Sequence, residues 1–478
     1  MAFESLQNLV EFLRGTDQLA CITEGLSPHL EIAELTDRVV KKGGPALLFE
    51  HPTGHNYPVL TNVYGTLDRI KAIFDVGSLN DLGSRFEEFL NLEPPKGFID
   101  KLKLLPKLKD IAGVFPKRIK DGPCQEVVQT QGLDLRELPV LTSWPGDGGP
   151  FITLPVVITR NPRNGRRNVG MYRMQIYDAE TCGMHWHIHK GGAEHFRLTQ
   201  EPMQVAVALG PDPITTYTAT APLPEDVDEL MLSGFLRKKS VEVVKCVTCD
   251  LEVPAESQFV LEGYVVPGET RVEGPFGDHT GFYSPADQYP VFHLTAITRR
   301  KNPIYPATIV GRPPMEDAFL GKVTERLFLP LIKKQLPEIV DINLPVEGVF
   351  HNLCFVAIRK SYPGQAHKVM HALWGLGQMM FTKMIMVFDY NVDVQDIGQV
   401  LFFLGANLDA GRDLCLVKGP VDALDHASAL PHLSTKVGFD CTRKGHDEGH
   451  SRPWPELIEM DQEVKSRIDA IWTKLKLG

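Results

Sequence analysis

Apolar residues recur at helical spacing over residues 6–14 and again over 32–42, where the run ends on Lys41, Lys42 and the pair Gly43-Gly44, a composition that suits a helix C-terminus. Short strands are expected at 46–49 and 59–62, around the turn-rich His51-Pro-Thr-Gly-His55. A Pro- and Lys-rich stretch, 94–118, reads as a surface connector. From Val127 to Gly311 the period changes to two. Residues 151–159 and 168–177 flank the turn Asn161-Pro-Arg-Asn-Gly165 and predict a hairpin. Further strands are expected at 185–189, 204–209, 257–266 and 291–299, so the middle of the chain should be a largely antiparallel sheet or barrel. After Leu327 helices return. Residues 352–359, 367–380, 384–388, 394–404 and 413–417 alternate strand and helix, which predicts parallel strands covered by helices. The closing segment, 455–476, sets Leu457, Met460, Val464, Ile468, Ile471, Trp472 and Leu475 on one helical stripe that needs its own chain or a neighbouring subunit to cover it.

Composition narrows the function. A length of 478 residues predicts about three domains. Lys and Arg number 50 against 60 Asp and Glu, a net charge of −10, which argues against nucleic acid as a partner. No run reaches the ~18 apolar residues of a membrane span, so membrane association is expected to be peripheral at most. The scattered cysteines, and Glu4 and Glu11 where a secretory leader would be basic, predict reduced thiols in a cytoplasmic protein. Cys246-Val-Thr-Cys249 lacks a second CxxC or a matched Cys/His pair and reads as structural rather than redox-active or zinc-binding.

Two stretches carry candidate chemistry. In a strand, His185, His187 and His189 of Gly183-Met-His-Trp-His-Ile-His-Lys-Gly-Gly192 would point to one face, either as metal ligands or as hydrogen-bonding groups of a polar sheet face. Glu273-Gly-Pro-Phe-Gly-Asp278-His-Thr-Gly281 puts two acids on a Gly/Pro-rich loop, as proton-transfer groups of a cavity or as solvated turn residues. Arg173 could pair with these acids or with an anionic substrate. The acids of Pro224-Glu-Asp-Val-Asp-Glu-Leu230 suit the N-terminus of a helix. No P-loop, strand-linked GxGxxG or GxSxG elbow is present.

Together, Asn168-Val-Gly-Met-Tyr-Arg173, the His-rich run, Glu229 and the Glu273 to Gly281 loop resemble the UbiD family of decarboxylases. The likeness extends to Pro28-His-Leu-Glu-Ile-Ala, Pro45-Ala-Leu-Leu-Phe-Glu50, Val244-Lys-Cys-Val and Gly311-Arg-Pro-Pro, and is nearest to the 4-hydroxy-3-polyprenylbenzoate decarboxylase branch.

The resemblance implies a prenylated FMN cofactor held through its phosphate by a divalent metal, Mn²⁺ or Mg²⁺, with K⁺ beside it. It implies Asn168, His189 and Glu229 as metal ligands, a mixed oxygen and nitrogen set that suits such ions. Met171, Tyr172, Arg173, His185, Trp186, His187, Lys190, Gly191 and Lys383 would line the cofactor, and Arg173, Glu273 and Asp278 would be catalytic, with Asp278 the proton donor. Asp278 stands where ferulic-acid-type members have Glu, which favours a ring carboxylate, and Lys190 stands where some members have Arg.

The implied architecture is α/β (α+β). It comprises an N-terminal α/β region (1–120), a central antiparallel split-barrel-like flavin-binding domain (121–326), a C-terminal α/β oligomerisation domain (327–453) and a terminal helix (454–478). The implied activity is non-oxidative decarboxylation of an aromatic acid, foremost 4-hydroxy-3-polyprenylbenzoate in ubiquinone biosynthesis, by a homo-oligomer (dimer or hexamer) supplied by a flavin prenyltransferase. A reversible (de)carboxylase of another aromatic or heteroaromatic acid, and a non-catalytic flavin- or metal-binding subunit, are the alternatives.

Overall fold

The structure, a computed structural model, describes residues 3–90, 113–186, 191–224 and 227–475. The first helix forms as its pattern dictates. Ser5 caps Leu6–Arg14 by accepting from the Asn8 amide at 3.2 Å, and Leu6, Leu9, Val10 and Leu13 bury one face. Helix Glu31–Lys41 follows, and Gly43 takes the left-handed backbone (φ 64°) after it. Strands Leu19–Ile22, Ala46–Phe49, Val59–Thr61 and Tyr305–Pro306 make a small four-stranded sheet whose last member comes from the middle of the chain. Helices Leu67–Phe74 and Asn80–Leu90, which the pattern did not announce, complete this region.

The central sheet runs in the order Thr181–Gly183, Asp287–Arg299, Phe259–Glu273, Met203–Leu209, Pro155–Arg160, Arg167–Met171, with Val127–Gln129 alongside Asp287–Arg299. Every pairing in it is antiparallel, and the sheet does not close into a barrel. The predicted hairpin is present, with Val156 opposite Met171 and Arg160 opposite Arg167. Each of its arms is shorter than the alternation suggested. Phe151–Ile152 and Met174–Gln175 leave the sheet to pair with each other, and the break at Tyr172-Arg173 turns Arg173 toward the loop after Glu273. The strand expected at 185–189 does not form over its described part. Met184 to Trp186 lie beyond strand Thr181–Gly183, and 187–189 fall outside the described residues.

Helix Glu316–Gln335 resumes the helical part of the chain ahead of Leu327. In the sheet that follows, Leu353–Ile358, Met384–Asp389 and Leu433–Asp440 are parallel, while Ile339–Asn343 and Leu414–Pro420 join antiparallel at the two edges. The all-parallel expectation therefore holds for the buried middle only. An edge strand needs one neighbour and accepts a tight return of the chain. Helix Gln365–Trp374 packs on one face of this sheet and Ile397–Asn407 on the other. The last helix is Gln462–Leu475, shorter than expected, and the apolar side chains from Leu457 to Leu475 stand exposed.

One hydrophobic cluster runs from Ile32, Phe49 and Val59 of the first region to Leu261, Phe292 and Met315 of the second. A second joins Leu9, Leu13 and Phe74 to Val323 and Leu327 of the long helix. No helix among the described residues is long and apolar enough to cross a membrane.

Candidate active site

Arg173 is nearly buried and reaches three partners. Its Nε donates to Glu273 Oε1 at 3.1 Å, one terminal nitrogen donates to Ser284 Oγ at 3.0 Å, and the other pairs with Asp278 Oδ2. The Phe276 ring lies 4.4 Å from the guanidinium carbon and covers it. Glu273 is fully buried, and its second oxygen lies 2.6 Å from His185 Nδ1. Burial holds the His185 imidazole below its ordinary pKa against the pull of Glu273, so the ring is neutral and Nδ1–H donates.

Asp278 is governed by its neighbours. Burial opposes its charge most strongly, but the hydrogen bond from His279 Nδ1 at 2.8 Å, the His279 charge and Arg173 outweigh it and hold the carboxyl well below the usual range.

A second set of residues fixes the loop. Strand Phe259–Glu273 delivers Glu273, and Gly274 turns the chain with φ 95°. The Gly274 amide donates to Gln175 Oε1 at 2.7 Å, and Gln175 Nε2 donates to the Gly148 carbonyl at 2.7 Å. Asp147 gathers the amides of Gly277 (2.7 Å), Trp144 (2.9 Å) and Ser143 (3.0 Å). A Cβ on Gly148 would collide with the Gly274 carbonyl, so only glycine lets these two segments meet. Asp147, Gln175 and Ser284 were not legible from the motifs, because their work is to hold backbone from separate segments.

Of the residues implied as metal and cofactor ligands, Asn168, Tyr172, Gly191 and Glu229 gather on the adjoining side. Glu229 opens helix Glu229–Arg237 behind its cap Asp228, and its carboxylate accepts the Val169 amide at 2.9 Å, next to Asn168. Asn168 Nδ2 approaches the Tyr172 hydroxyl at 3.4 Å, and the Gly192 amide donates to the same hydroxyl at 3.3 Å. A Cβ on Gly191 would strike Asn168 Oδ1. Burial pushes the Glu229 carboxyl up to about 7, and a cation beside it would remove that strain. Trp186 Nε1 is buried without a partner among the described residues. An amide oxygen, an under-compensated carboxylate and an orphaned indole N–H fit a cation with an anionic, heteroatom-rich ligand. His187, His189 and Lys190 lie outside the described residues. Lys383 stands in the C-terminal region, paired with Asp425 at 2.9 Å, and Met171 carries its amide to the Ala219 carbonyl at 2.9 Å.

The CxxC pair has a partner in space that it lacked in sequence. Cys246, Cys249 and Glu262 are buried together. Glu262 accepts the amides of Val247 (2.9 Å) and Thr248 (2.6 Å) and the Thr248 hydroxyl (2.9 Å), so its carboxylate closes the turn.

Family models described as the N-terminal, Rift-related and C-terminal domains of 3-octaprenyl-4-hydroxybenzoate carboxy-lyase match residues 10–86, 117–313 and 318–441. An uncharacterised protein of Archaeoglobus fulgidus is 50% identical over all of this chain and 99% of its own length. The evolved dimeric form of the UbiD-class enzyme HmfF from Pelotomaculum thermopropionicum, in complex with prFMN, is 26% identical with a TM-score of 0.80, covering 97% of this chain and 98% of that one. Vanillic acid decarboxylase of Sedimentibacter hydroxybenzoicus, in closed form, is 27% identical with a TM-score of 0.84, each chain being covered completely (100%).

Proposed function

The chain belongs to the UbiD family of carboxy-lyases, and from that premise we propose that it removes CO₂ non-oxidatively from an aromatic acid with prenylated FMN bound, the acid being 4-hydroxy-3-polyprenylbenzoate of ubiquinone biosynthesis. The observation that carries the reading is one buried guanidinium binding two buried carboxylates that lie on one loop. Solvated turn acids would not converge in this way, and a subunit without turnover has no use for the arrangement. The descriptions of the three matched segments support the prenylated substrate. A tail-less phenolic acid is the second reading, favoured by the likeness to vanillic acid decarboxylase.

Asn168 and Glu229, with His189, would hold a Mn²⁺ or Mg²⁺ ion, and K⁺ beside it, against the cofactor phosphate. Bound there, the modified flavin supplies the electron sink that no side chain provides. The chain's own residues bind, orient and move a proton. Arg173 fixes the direction of Glu273 and Asp278 and offsets their charge, and Phe276 over the guanidinium keeps water away from the pair. His185 holds the far oxygen of Glu273, so the carboxylate cannot rotate out of the clamp. Asp278 hands a proton to the ring carbon that has lost CO₂. It is ionised in its present pairing, so that proton first comes to it from His279 Nδ1.

The test is CO₂ release by protein produced together with a flavin prenyltransferase, over a panel of prenylated and tail-less aromatic acids. Turnover of the prenylated acid is expected, and E273Q and D278N should each lower it about a hundredfold with flavin retained. Turnover confined to tail-less acids selects the second reading. No CO₂ from any acid, or undiminished rates in both variants, overturns the assignment.

A further inference from the structure

We propose that His351 supplies protons to Asp278 through His279, so that a two-imidazole relay from the C-terminal region feeds the proton donor on the Glu273 to Gly281 loop. The inference rests on the decarboxylase reading and deepens it. His279 Nδ1 lies 2.8 Å from Asp278 Oδ1, and its Nε2 lies 3.0 Å from His351 Nε2. The three side chains therefore form one line of hydrogen-bonding atoms from the Arg173 clamp outward.

The segment that brings His351 there is strained in a particular way. Val349 and Phe350 both adopt left-handed backbone, φ 55° and 45°, which a β-branched and an aromatic residue rarely take. Phe350 is held by contact with Gly321 of the long helix and lays its ring 5.6 Å from His279. Strain of this kind persists where the surroundings fix a side chain for use. At the outer end, His351 Nδ1 is buried without a partner among the described residues, as are one oxygen of Asp317 and one of Asp425. An acceptor nitrogen left open in the field of Asp422 and Asp425 is what a proton entry point needs. A purely structural histidine would have closed that bond.

Charge around the pair agrees. His279 faces Asp278, Asp317 and Asp422, and His351 faces Asp422, Asp425 and Asp278, with Lys383 neutralising one oxygen of Asp425. Two imidazolium ions 3.0 Å apart repel, so the pair carries at most one positive charge. It falls on His279, whose titration the acids raise to about 8 while His351 is held below its ordinary value, and its loss as pH rises through 8 frees His279 Nε2 to accept.

The transfer balances. The Asp278 proton goes to the ring carbon and the Nδ1 proton of His279 goes to Asp278. This transfer runs from the state in which both rings are neutral, His279 carrying its proton on Nδ1 and His351 on Nε2. As the Nδ1 proton leaves, the Nε2 proton of His351 passes to the free Nε2 lone pair of His279, and a solvent proton replaces it at His351 Nδ1. One proton is consumed per CO₂ released.

H351Q keeps a hydrogen bond to His279 but cannot pass a proton, and H351F keeps only bulk. In the flavin-loaded enzyme, H351Q is expected to lower kcat about tenfold or more, to leave KM within about twofold, and to move the limb of the pH profile that His279 sets. Unchanged kcat and profile, or a fall in kcat that tracks flavin loss, overturns the relay. Histidine NMR gives a readout independent of turnover. H351F should lower the His279 titration midpoint and H351Q should leave it near wild type. If no acid is decarboxylated by the wild type, the decarboxylase reading fails while this coupling is still measured, and an unmoved His279 midpoint in H351F sinks the relay in either case.

Discussion

Arg173 and His185 grip opposite oxygens of Glu273, the guanidinium on Oε1 at 3.0 Å and the imidazole Nδ1 on Oε2 at 2.6 Å. The carboxylate is buried with both oxygens committed, so its orientation is set by the protein before any acid binds. A buried anion held this way is costly to release. R173M leaves Glu273 and Asp278 without their shared cation and should lower unfolding stability by about 3–5 kcal/mol, measured by urea denaturation. R173K should recover part of the stability and little turnover, because an ammonium cannot serve three partners in one plane.

Stability should depend on pH through His279. Its folded value, about 8, lies above the ordinary 6.5, so its contribution is complete below pH 6.5 and is lost as pH rises through 8. The depressed His351 titration acts only below 6.5 and stays out of that window. Asp278, held below the carboxylate range, contributes above its unfolded value and is lost only in strong acid. Urea midpoints should fall between pH 6.5 and 8 in the wild type, and H279Q should flatten that slope. An equal slope in both proteins would falsify the assignment to His279.

E229Q removes the buried charge while keeping an acceptor for the Val169 amide. It should preserve the melting temperature yet lower affinity for divalent metal by at least about tenfold, and bound flavin with it. Metal analysis and the flavin absorbance of the purified variant read this directly. Full metal and flavin in E229Q would remove Glu229 from the ligand set.

Leu457, Ile458, Met460, Val464, Ile468, Ile471 and Trp472 are all exposed along one terminal segment, Ile458 almost completely, at 99%. Such a face is expected to lie on a second copy of the chain. Truncation before Pro455 should therefore shift the elution volume toward a smaller species, and an unaltered volume rejects this interface.

Much of this architecture could be read from residue order, and its exceptions have physical causes. Helix Leu6–Arg14 and the hairpin from Pro155 to Met171 follow from a cap, a turn and a period. Strand Leu433–Asp440 was missed because Ser434, Thr435, Lys436 and Gly438 dilute its apolar signal, although Lys436 is buried in the fold. The alternating histidines suggested a strand at 185–189, but the His185 amide turns to the Arg173 carbonyl at 3.2 Å, and its ring serves Glu273 instead of a metal. Arg173 was open to pairing with Glu273 and Asp278 or with an anionic substrate, and family likeness alone made the three a catalytic set, since positions 100 and 105 residues apart carry no local signal of contact. His279 stood inside the quoted motif without a role. His351 had no sequence cue, because what identifies it is the backbone that aims it.

The cluster uniting Ile32, Phe49 and Val59 with Leu261 and Phe292 bears on how this polypeptide could be cut or grafted. Three family segments meet along the sequence, yet the first two share a single oily interior, and Tyr305–Pro306 completes the sheet begun by Leu19–Ile22. An excised amino-terminal piece would expose its share of that interior to water, and its absence would uncover the facing side chains of the remainder. Swapping segments between homologues to alter substrate choice should therefore spare this seam and exchange the carboxy-terminal third, whose sheet keeps its own interior on both faces.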